Sequence, residues 1–230
     1  MKGPFVIPVL TLCLSLPAPS GIAAELTGHV VITKRLSKKQ VILPAYQLRG
    51  VSPAPVADHG DSGSDSGGVA VFLEGGLPEA DRPVRVELEQ TGQRFEPQLV
   101  LIPAGSSVSF PNADPIFHNV FSLSSAKKFD LGYYPAGQTR IVKFDQPGVV
   151  QIYCHLHPNM YAAIVVVPNR WYTKAGEDGS FSLHDVPQGT YSLVAWHMNA
   201  GFFRREIHVP AGGGIDVVVD IPVREGERSH

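Results

Sequence analysis

Residues 149–167 read VVQIYCHLHPNMYAAIVVV, and the interpretation of the chain starts from this stretch. Two apolar runs rich in β-branched residues flank the short segment 154–160, which is typical of two strands joined by a loop. Because side chains alternate between the two faces of a strand, Val150, Ile152 and Cys154 share one face. We therefore expect Cys154 to point into the core at the end of a strand, just before the loop begins.

The loop carries side chains that bind transition metals. His157 and Met160 stand three and six residues after Cys154, and an upstream histidine, His118, lies among apolar residues in FHNVF. Two imidazoles and a thiolate in one plane, with a weak axial thioether, form a type 1 (blue) copper site. The thiolate suits Cu(I), and the imidazoles suit both oxidation states. The set predicts one type 1 copper per chain.

Each of these residues also has a simple structural interpretation. Cys154 could be a buried and inert thiol, His118 a hydrogen-bonded core histidine, and Met160 a side chain that fills a gap. The C-x2-H-x2-M spacing, the flanking strands and the upstream His-Asn pair occur together, and their combination favours the copper site.

The rest of the chain predicts an all-β fold. Hydrophobic residues make up 43% and charged residues 17% of its 230 residues, which excludes a disordered chain. A formal net charge of −2 argues against a nucleic-acid binder. Short apolar runs recur between Gly, Pro, Asn and Asp without a helical period, and this pattern favours sandwiches or barrels.

The first 24 residues have the layout of a secretory signal peptide. Lys2 precedes the uncharged apolar run 5–16, and the small pair Ala23–Ala24 follows it, so we expect cleavage after one of these alanines and a periplasmic or secreted protein. A membrane anchor is disfavoured because the run is shorter than the roughly 20 residues of a membrane-spanning helix. A lipid anchor at Cys13 is disfavoured because the preceding residues, VLTL, lack the small residues expected before a lipidated cysteine. We expect no membrane span in the mature chain.

Residues 81–168 resemble the cupredoxin family, specifically its plastocyanin and amicyanin group. The resemblance is carried by RFEPQLVLIPAGSSVSFPNADPIFHNVFS (94–122) and by FDLGYYPAGQTRIVKFDQPGVVQIYCHLHPNM (129–160), and the short loop is most similar to that of amicyanin. The whole arrangement also resembles exported proteins of the methylamine-utilisation-like type.

This resemblance implies a Greek-key β-sandwich over residues 79–168. It further implies that Asn119 ties the two ligand loops together by hydrogen bonding. The copper ligands implied by the family are His118, Cys154, His157 and Met160.

A second sandwich is expected around the first. Residues 170–223 resemble the later half of a carboxypeptidase-regulatory-like, transthyretin-type sandwich, and Gly28–Val30 with 69–76 fit the first half loosely. We predict one discontinuous sandwich made of residues 25–78 and 169–223. Residues 52–68 form a Gly/Ser/Asp-rich loop inside the first part, and 224–230 are a tail. The alternative is two independent β units, which is disfavoured because an isolated strand pair is marginal in water.

These features favour an exported blue-copper electron carrier or redox subunit with an unidentified partner protein. A copper-binding module for storage, delivery or sensing would use the same ligands, and a structural or adhesive β protein is a third interpretation. An oxidase is not expected, since multicopper oxidases have histidines on both sides of the cysteine and Tyr153 precedes Cys154 here. We expect His155 to lie in the loop or beside the ligands. The other histidines lack ligand spacing: His29, His59, His184, His197, His208 and His230.

Overall fold

The computed structural model describes residues 23–32, 68–79 and 82–221. Within these ranges the regular elements are all β-strands. In chain order they are β1 (Ala24–Ile32), β2 (Val69–Glu74), β3 (Arg85–Glu87), β4 (Glu89–Thr91), β5 (Arg94–Glu96), β6 (Leu99–Pro103), β7 (Ser106–Pro111), β8 (His118–Ser122), β9 (Phe129–Tyr134), β10 (Thr139–Phe144), β11 (Gly148–Tyr153), β12 (Tyr161–Val167), β13 (Tyr172–Lys174), β14 (Ser180–Val186), β15 (Gly189–His197), β16 (Gly201–Val209) and β17 (Gly214–Ile221).

Strands β3 to β12 build one sandwich, here called the inserted sandwich. Its larger sheet has the order β6-β12-β11-β8-β9, and its smaller sheet has the order β10-β7-β3. Strand β12 pairs antiparallel with β11 but parallel with β6, which lies far from it in sequence. This crossover topology is that of the expected Greek-key sandwich. The two sheets enclose a core that includes Phe95, Phe110 and Ile152.

The remaining strands build a second sandwich, here called the terminal sandwich. Its sheets have the orders β14-β1-β17 and β13-β2-β15-β16. Strand β1 pairs parallel with β17 and antiparallel with β14, so this sandwich draws strands from both sides of the inserted one. The all-β class with a discontinuous second sandwich agrees with the sequence-based expectation. Its resemblance to a carboxypeptidase-regulatory-like domain stays a prediction.

A glycine permits the close packing of β1. A Cβ atom added to Gly28 would clash with the backbone oxygen of Val217 and would lie 2.6 Å from the Phe181 ring. Only a residue without a side chain fits there.

The two sandwiches pack against each other face to face. A separate apolar cluster joins β2 and β15 of the terminal sandwich to β6 and β12 of the inserted one, and it includes Phe72, Val165 and Trp196. Strands β2 and β12 are therefore covered on both faces, and nearly every residue in them is buried. This explains why VAVFL and AAIVVV are continuous apolar runs rather than alternating ones.

Several sequence-based expectations lie outside the described residues. This group contains residues 1–22 of the predicted signal peptide, with Cys13, residues 52–67 of the predicted loop and the tail 224–230. They stay predictions, as do the domain boundaries. Among the residues that the structure covers, no helix has the length and apolar character needed to cross a membrane.

Candidate metal centre

The site lies where two neighbouring strands of the larger sheet meet at one end. Strand β11 ends at Tyr153, Cys154 follows it, and the loop leads into β12 at Tyr161. Strand β8 begins at His118 and runs antiparallel beside β11, with Phe121 opposite Tyr153. The pairing therefore brings the start of β8 to the loop that follows β11.

Three donor atoms converge at this point. His118 Nδ1 lies 3.1 Å from His157 Nδ1 and 3.9 Å from Cys154 Sγ, while Cys154 Sγ lies 3.7 Å from His157 Nδ1. His118 and Cys154 are fully buried, and His157 is partly buried. Within the described ranges, this is the group of His, Cys and acidic side chains that could hold a metal ion.

The three donor atoms form a triangle whose size fits a metal ion at its centre. A point equidistant from three atoms with these separations lies about 2.1 Å from each, which is close to typical metal–nitrogen and metal–sulfur bond lengths of about 2.0–2.3 Å. Two imidazole nitrogens and one thiolate are also the donors of a trigonal copper site. The residues present therefore fit a copper ion.

Asp114 sets the tautomer of His118. His118 Nε2 lies 2.7 Å from Asp114 Oδ2, and a carboxylate can only accept a hydrogen bond. The proton of the neutral ring therefore resides on Nε2, and the Nδ1 lone pair is directed at Cys154 and His157. A carboxylate behind a histidine ligand is a common way to fix the orientation of the ring.

Asp114 is itself held as an anion. Its Oδ1 accepts a hydrogen bond from Gly92 N at 2.6 Å, and its Oδ2 accepts one from Gln93 N at 2.8 Å. Burial acts to raise the pKa of Asp114, but the Gln93 amide, His118 and the Gly92 amide outweigh it, so the pKa lies below its ordinary value.

His157 is suited to act as a neutral ligand. Burial is the largest influence on its pKa, followed by the neighbouring His118, and together they outweigh Asp114 and lower the pKa below the ordinary histidine value. A neutral imidazole offers a lone pair to a metal, whereas a protonated ring does not.

Met160 is the last residue of the loop, directly before β12. Its backbone N–H donates to His157 O at 2.9 Å. Its side chain is fully buried in the same core cluster as Cys154. The structure thus places the fourth predicted ligand at the end of the loop, on the core side.

Asn119 forms hydrogen bonds with the residue that follows Cys154 and with strand β9. Its Oδ1 accepts a hydrogen bond from His155 N at 3.4 Å. Its Nδ2 donates to Asp130 Oδ1 at 2.6 Å and to Gly132 O at 3.1 Å. Asn119 is almost completely buried, so these partners replace water for its amide.

Sequence reasoning missed both carboxylates at the site. Asp114 stands four residues before His118 in PNADPIFH, and an acidic residue that close to a candidate ligand is a signal that was available. Asp130 lies on β9, and only the pairing of β8 with β9 brings it near Asn119. His29, His184, His197 and His208 contribute to no metal-binding group in the part of the chain that the structure covers. His59 and His230 lie outside it.

The chain is similar to proteins of known type over part of its length. Amicyanin-alpha of Methylorubrum extorquens is 32% identical over 83 residues, which make up 35% of this chain and 70% of that protein. No protein-family model matches the chain.

Solved structures also align with it. The purple cupredoxin of Nitrosopumilus maritimus has a TM-score of 0.33 at 22% identity and covers 36% of this chain and 99% of its own. An amicyanin mutant in the Cu(I) form has a TM-score of 0.34 at 16% identity and covers 42% of this chain and 98% of its own. Family membership rests on the match to amicyanin-alpha: the chain belongs to the cupredoxin family.

Proposed function

We propose that this protein is an exported type 1 copper protein that carries single electrons. The observation that supports this most strongly is the convergence of His118 Nδ1, Cys154 Sγ and His157 Nδ1 around a point of metal-binding size. In this proposal those three residues would hold the copper, and Met160 would supply a weak fourth donor. Bound copper would supply a one-electron couple between Cu(II) and Cu(I).

The contribution of the protein itself is to hold the donor atoms in fixed relative positions. His118 is the first residue of β8, and its ring is fixed from behind by Asp114. Cys154 follows β11 directly, and the loop is closed by the hydrogen bond from Met160 N to His157 O. Donors held by two paired strands rearrange little when the metal changes oxidation state, which favours rapid electron transfer.

Exchange of electrons with a partner protein requires an accessible surface near the ligands. Phe117 and Leu156 are the chain neighbours of His118 and His157, and their side chains are 56% and 42% exposed. A contiguous exposed apolar patch marks an interaction site, and in this proposal the two side chains contribute to one. We assign this surface to a redox partner protein, and we assign no catalytic residue to the chain.

Export and domain organisation belong to the same proposal. Residues 1–24 would direct the chain to the periplasm or to secretion, residues 79–168 would form the copper domain, and residues 25–78 with 169–223 would form the accessory sandwich. A single cysteine in the mature chain would then be protected from oxidation by burial and by the metal.

The proposal is tested by loading the purified protein with copper and recording its visible spectrum, its EPR spectrum and a voltammogram. We expect an intense thiolate-to-copper band, a narrow copper hyperfine splitting and a reversible one-electron wave. Stoichiometric copper without the band would contradict a type 1 site. The band without a reversible wave, together with rapid loss of copper to a chelator, would favour storage or delivery over electron transfer.

A further inference from the structure

His155 makes two specific side-chain contacts beside the metal site. Its ring lies flat on the ring of Phe121, with the centroids 3.8 Å apart and an angle of 2° between the planes. Its Nε2 lies 3.3 Å from Asp130 Oδ2. Only 22% of the side chain is exposed, so His155 does not project freely into solvent as an ordinary loop histidine would.

These contacts close a ring of interactions around the residue that follows Cys154. Asp130 accepts from His155 through Oδ2, while its Oδ1 accepts from Asn119 Nδ2 at 2.6 Å and from Gly132 N at 3.0 Å. Asn119 Oδ1 in turn accepts from the backbone N–H of His155 at 3.4 Å. His155 is therefore held at its backbone by β8, at its imidazole by β9, and at its ring face by Phe121.

This set of hydrogen bonds and the stacking contact lie next to the peptide bond that joins Cys154 to His155. Cys154 directly follows Tyr153, the last residue of β11, and His155 is the next residue of the chain. The side chain of His155 supplies an anchor one residue later. That anchor reaches β9, whereas the sheet ladder of β11 pairs only with β12 and β8.

We propose that His155 is a positioning residue, whose side chain fixes the position of Cys154 Sγ relative to His118 and His157. This inference rests on the proposed copper function. With nitrogen and oxygen donors Cu(II) favours tetragonal geometry, whereas a His₂Cys set is trigonal. A cysteine that is free to shift would let the site move toward the tetragonal geometry, and the anchor at His155 opposes that shift.

Two substitutions separate the two contacts. H155F keeps a ring that can stack on Phe121 but loses the contact with Asp130, and H155A loses both. H184A is the matched control, because His184 is an exposed histidine of the terminal sandwich. Each variant is compared with the unsubstituted protein after circular dichroism has shown an unchanged β spectrum, and H155F decides the result if H155A does not fold.

The first measurement is the EPR and visible spectrum of the copper-loaded proteins. We expect the copper hyperfine splitting to widen and the intensity to move from the blue band to shorter wavelength, more in H155A than in H155F, with H184A unchanged. A merely structural role would lower stability without changing these spectra. Spectra of both His155 variants identical to that of the unsubstituted protein would overturn the proposal.

The second measurement needs no metal. In the copper-free protein we expect iodoacetamide to modify Cys154 about tenfold faster in H155A, since the lost hydrogen bond and stacking contact lower the cost of local opening. The rate is followed by mass spectrometry of the peptide that contains Cys154. An unchanged rate would overturn the proposal. A copper-loaded unsubstituted protein without a blue band would instead contradict the proposed function, while the alkylation rates would still test the anchor.

Discussion

His118 Nε2 donates a hydrogen bond to Asp114 Oδ2 across 2.7 Å, and this contact directs the opposite nitrogen of the ring at Cys154 and His157. Asp114 in turn accepts from two backbone amides of the turn between β4 and β5. One predicted ligand of the site is thus oriented by a turn that lies more than twenty residues earlier in the chain.

Substitution of Asp114 by Asn should weaken both the fold and the site. The carboxylate accepts three N–H groups, and an amide replaces one of its oxygens by a donor, so at least one of the three loses its acceptor. We expect the copper-free protein to lose about 1–3 kcal/mol of unfolding free energy and copper affinity to fall about 10–100-fold. Denaturant unfolding and competitive copper titration measure these effects.

D145N is the matched control for this prediction. Asp145 is an exposed aspartate that pairs with Lys143 at the surface, and such pairs contribute little. If D114N and D145N behaved alike in both experiments, the role assigned to Asp114 would be wrong.

The same carboxylate predicts how stability depends on pH. Burial alone would raise the pKa of Asp114, but the amides of Gln93 and Gly92 and the His118 ring lower it below the ordinary value. A carboxyl with a lowered folded-state pKa contributes stability above its unfolded pKa of about 3.9, and that contribution disappears as the pH falls through the folded pKa. The unfolding free energy of the copper-free protein should therefore fall more steeply below about pH 4 than that of D114N. Parallel pH profiles would argue against this.

Replacement of Met160 by Leu should raise the redox potential of the bound copper but keep its blue absorption band. Met160 is fully buried, and Leu has a similar volume, so we expect a stability cost below about 1.5 kcal/mol. Loss of a weak axial donor disfavours Cu(II), so the potential should rise while the thiolate-to-copper band remains. Voltammetry of M160L tests this. A potential that is unchanged or lower would mean that Met160 does not serve as the axial ligand.

A substitution at the contact between the two sandwiches, made in the inserted sandwich, should also change the unfolding of the terminal sandwich. Val165 of β12 is buried in the cluster that also contains Trp196 of β15. V165A removes the equivalent of two methylene groups from this cluster and should cost about 2 kcal/mol. Both tryptophans of the chain, Trp171 and Trp196, lie in the terminal sandwich. Their fluorescence therefore reports on the unfolding of the terminal sandwich.

The unfolding transition seen by tryptophan fluorescence should therefore shift in V165A. V218A is the matched control, because Val218 is 46% exposed and its substitution should change stability by less than about 0.5 kcal/mol. A fluorescence transition that V165A leaves in place would mean that the two sandwiches unfold independently.

Insertion of a methyl group at Gly28 should disrupt the parallel pairing of β1 with β17. The new Cβ would approach backbone atoms of β17 and the ring of Phe181, and the backbone oxygen cannot move without breaking the sheet. We expect G28A to lose roughly 1–3 kcal/mol of unfolding free energy or more. G68A is its counterpart, since a Cβ there has its nearest neighbour at 3.5 Å. Equal stability of the two variants would contradict the close approach.

The sequence could predict the parts of the site that are local in the chain. Cys154, His157 and Met160 lie in one loop between two apolar strands, and strand alternation alone directs Cys154 to the core. His118 could be proposed because it is flanked by apolar residues. Its distance from Cys154 in space depends on the pairing of β8 with β11, which residue spacing does not specify.

The surroundings of the ligands could not be predicted in the same way. The contacts of Asp114 depend on where the turn at Gly92 lies, and those of His155 depend on the register of β8 with β9. The stacking of the two sandwiches was visible only indirectly, in the continuous apolar runs of β2 and β12. Such runs indicate strands covered on both faces without indicating what covers them.

The central claim is that Cys154 provides the thiolate of a copper site, and substitution of Cys154 by Ser tests it most directly. Serine is nearly as small but replaces the soft sulfur by oxygen, which holds Cu(I) poorly. The measurement is the visible and EPR spectrum of copper-loaded C154S beside that of the unsubstituted protein. We predict that the unsubstituted protein shows the intense blue band and the narrow hyperfine splitting, and that C154S folds but lacks both. A C154S spectrum and copper affinity equal to those of the unsubstituted protein would contradict the ligand assignment and the function built on it.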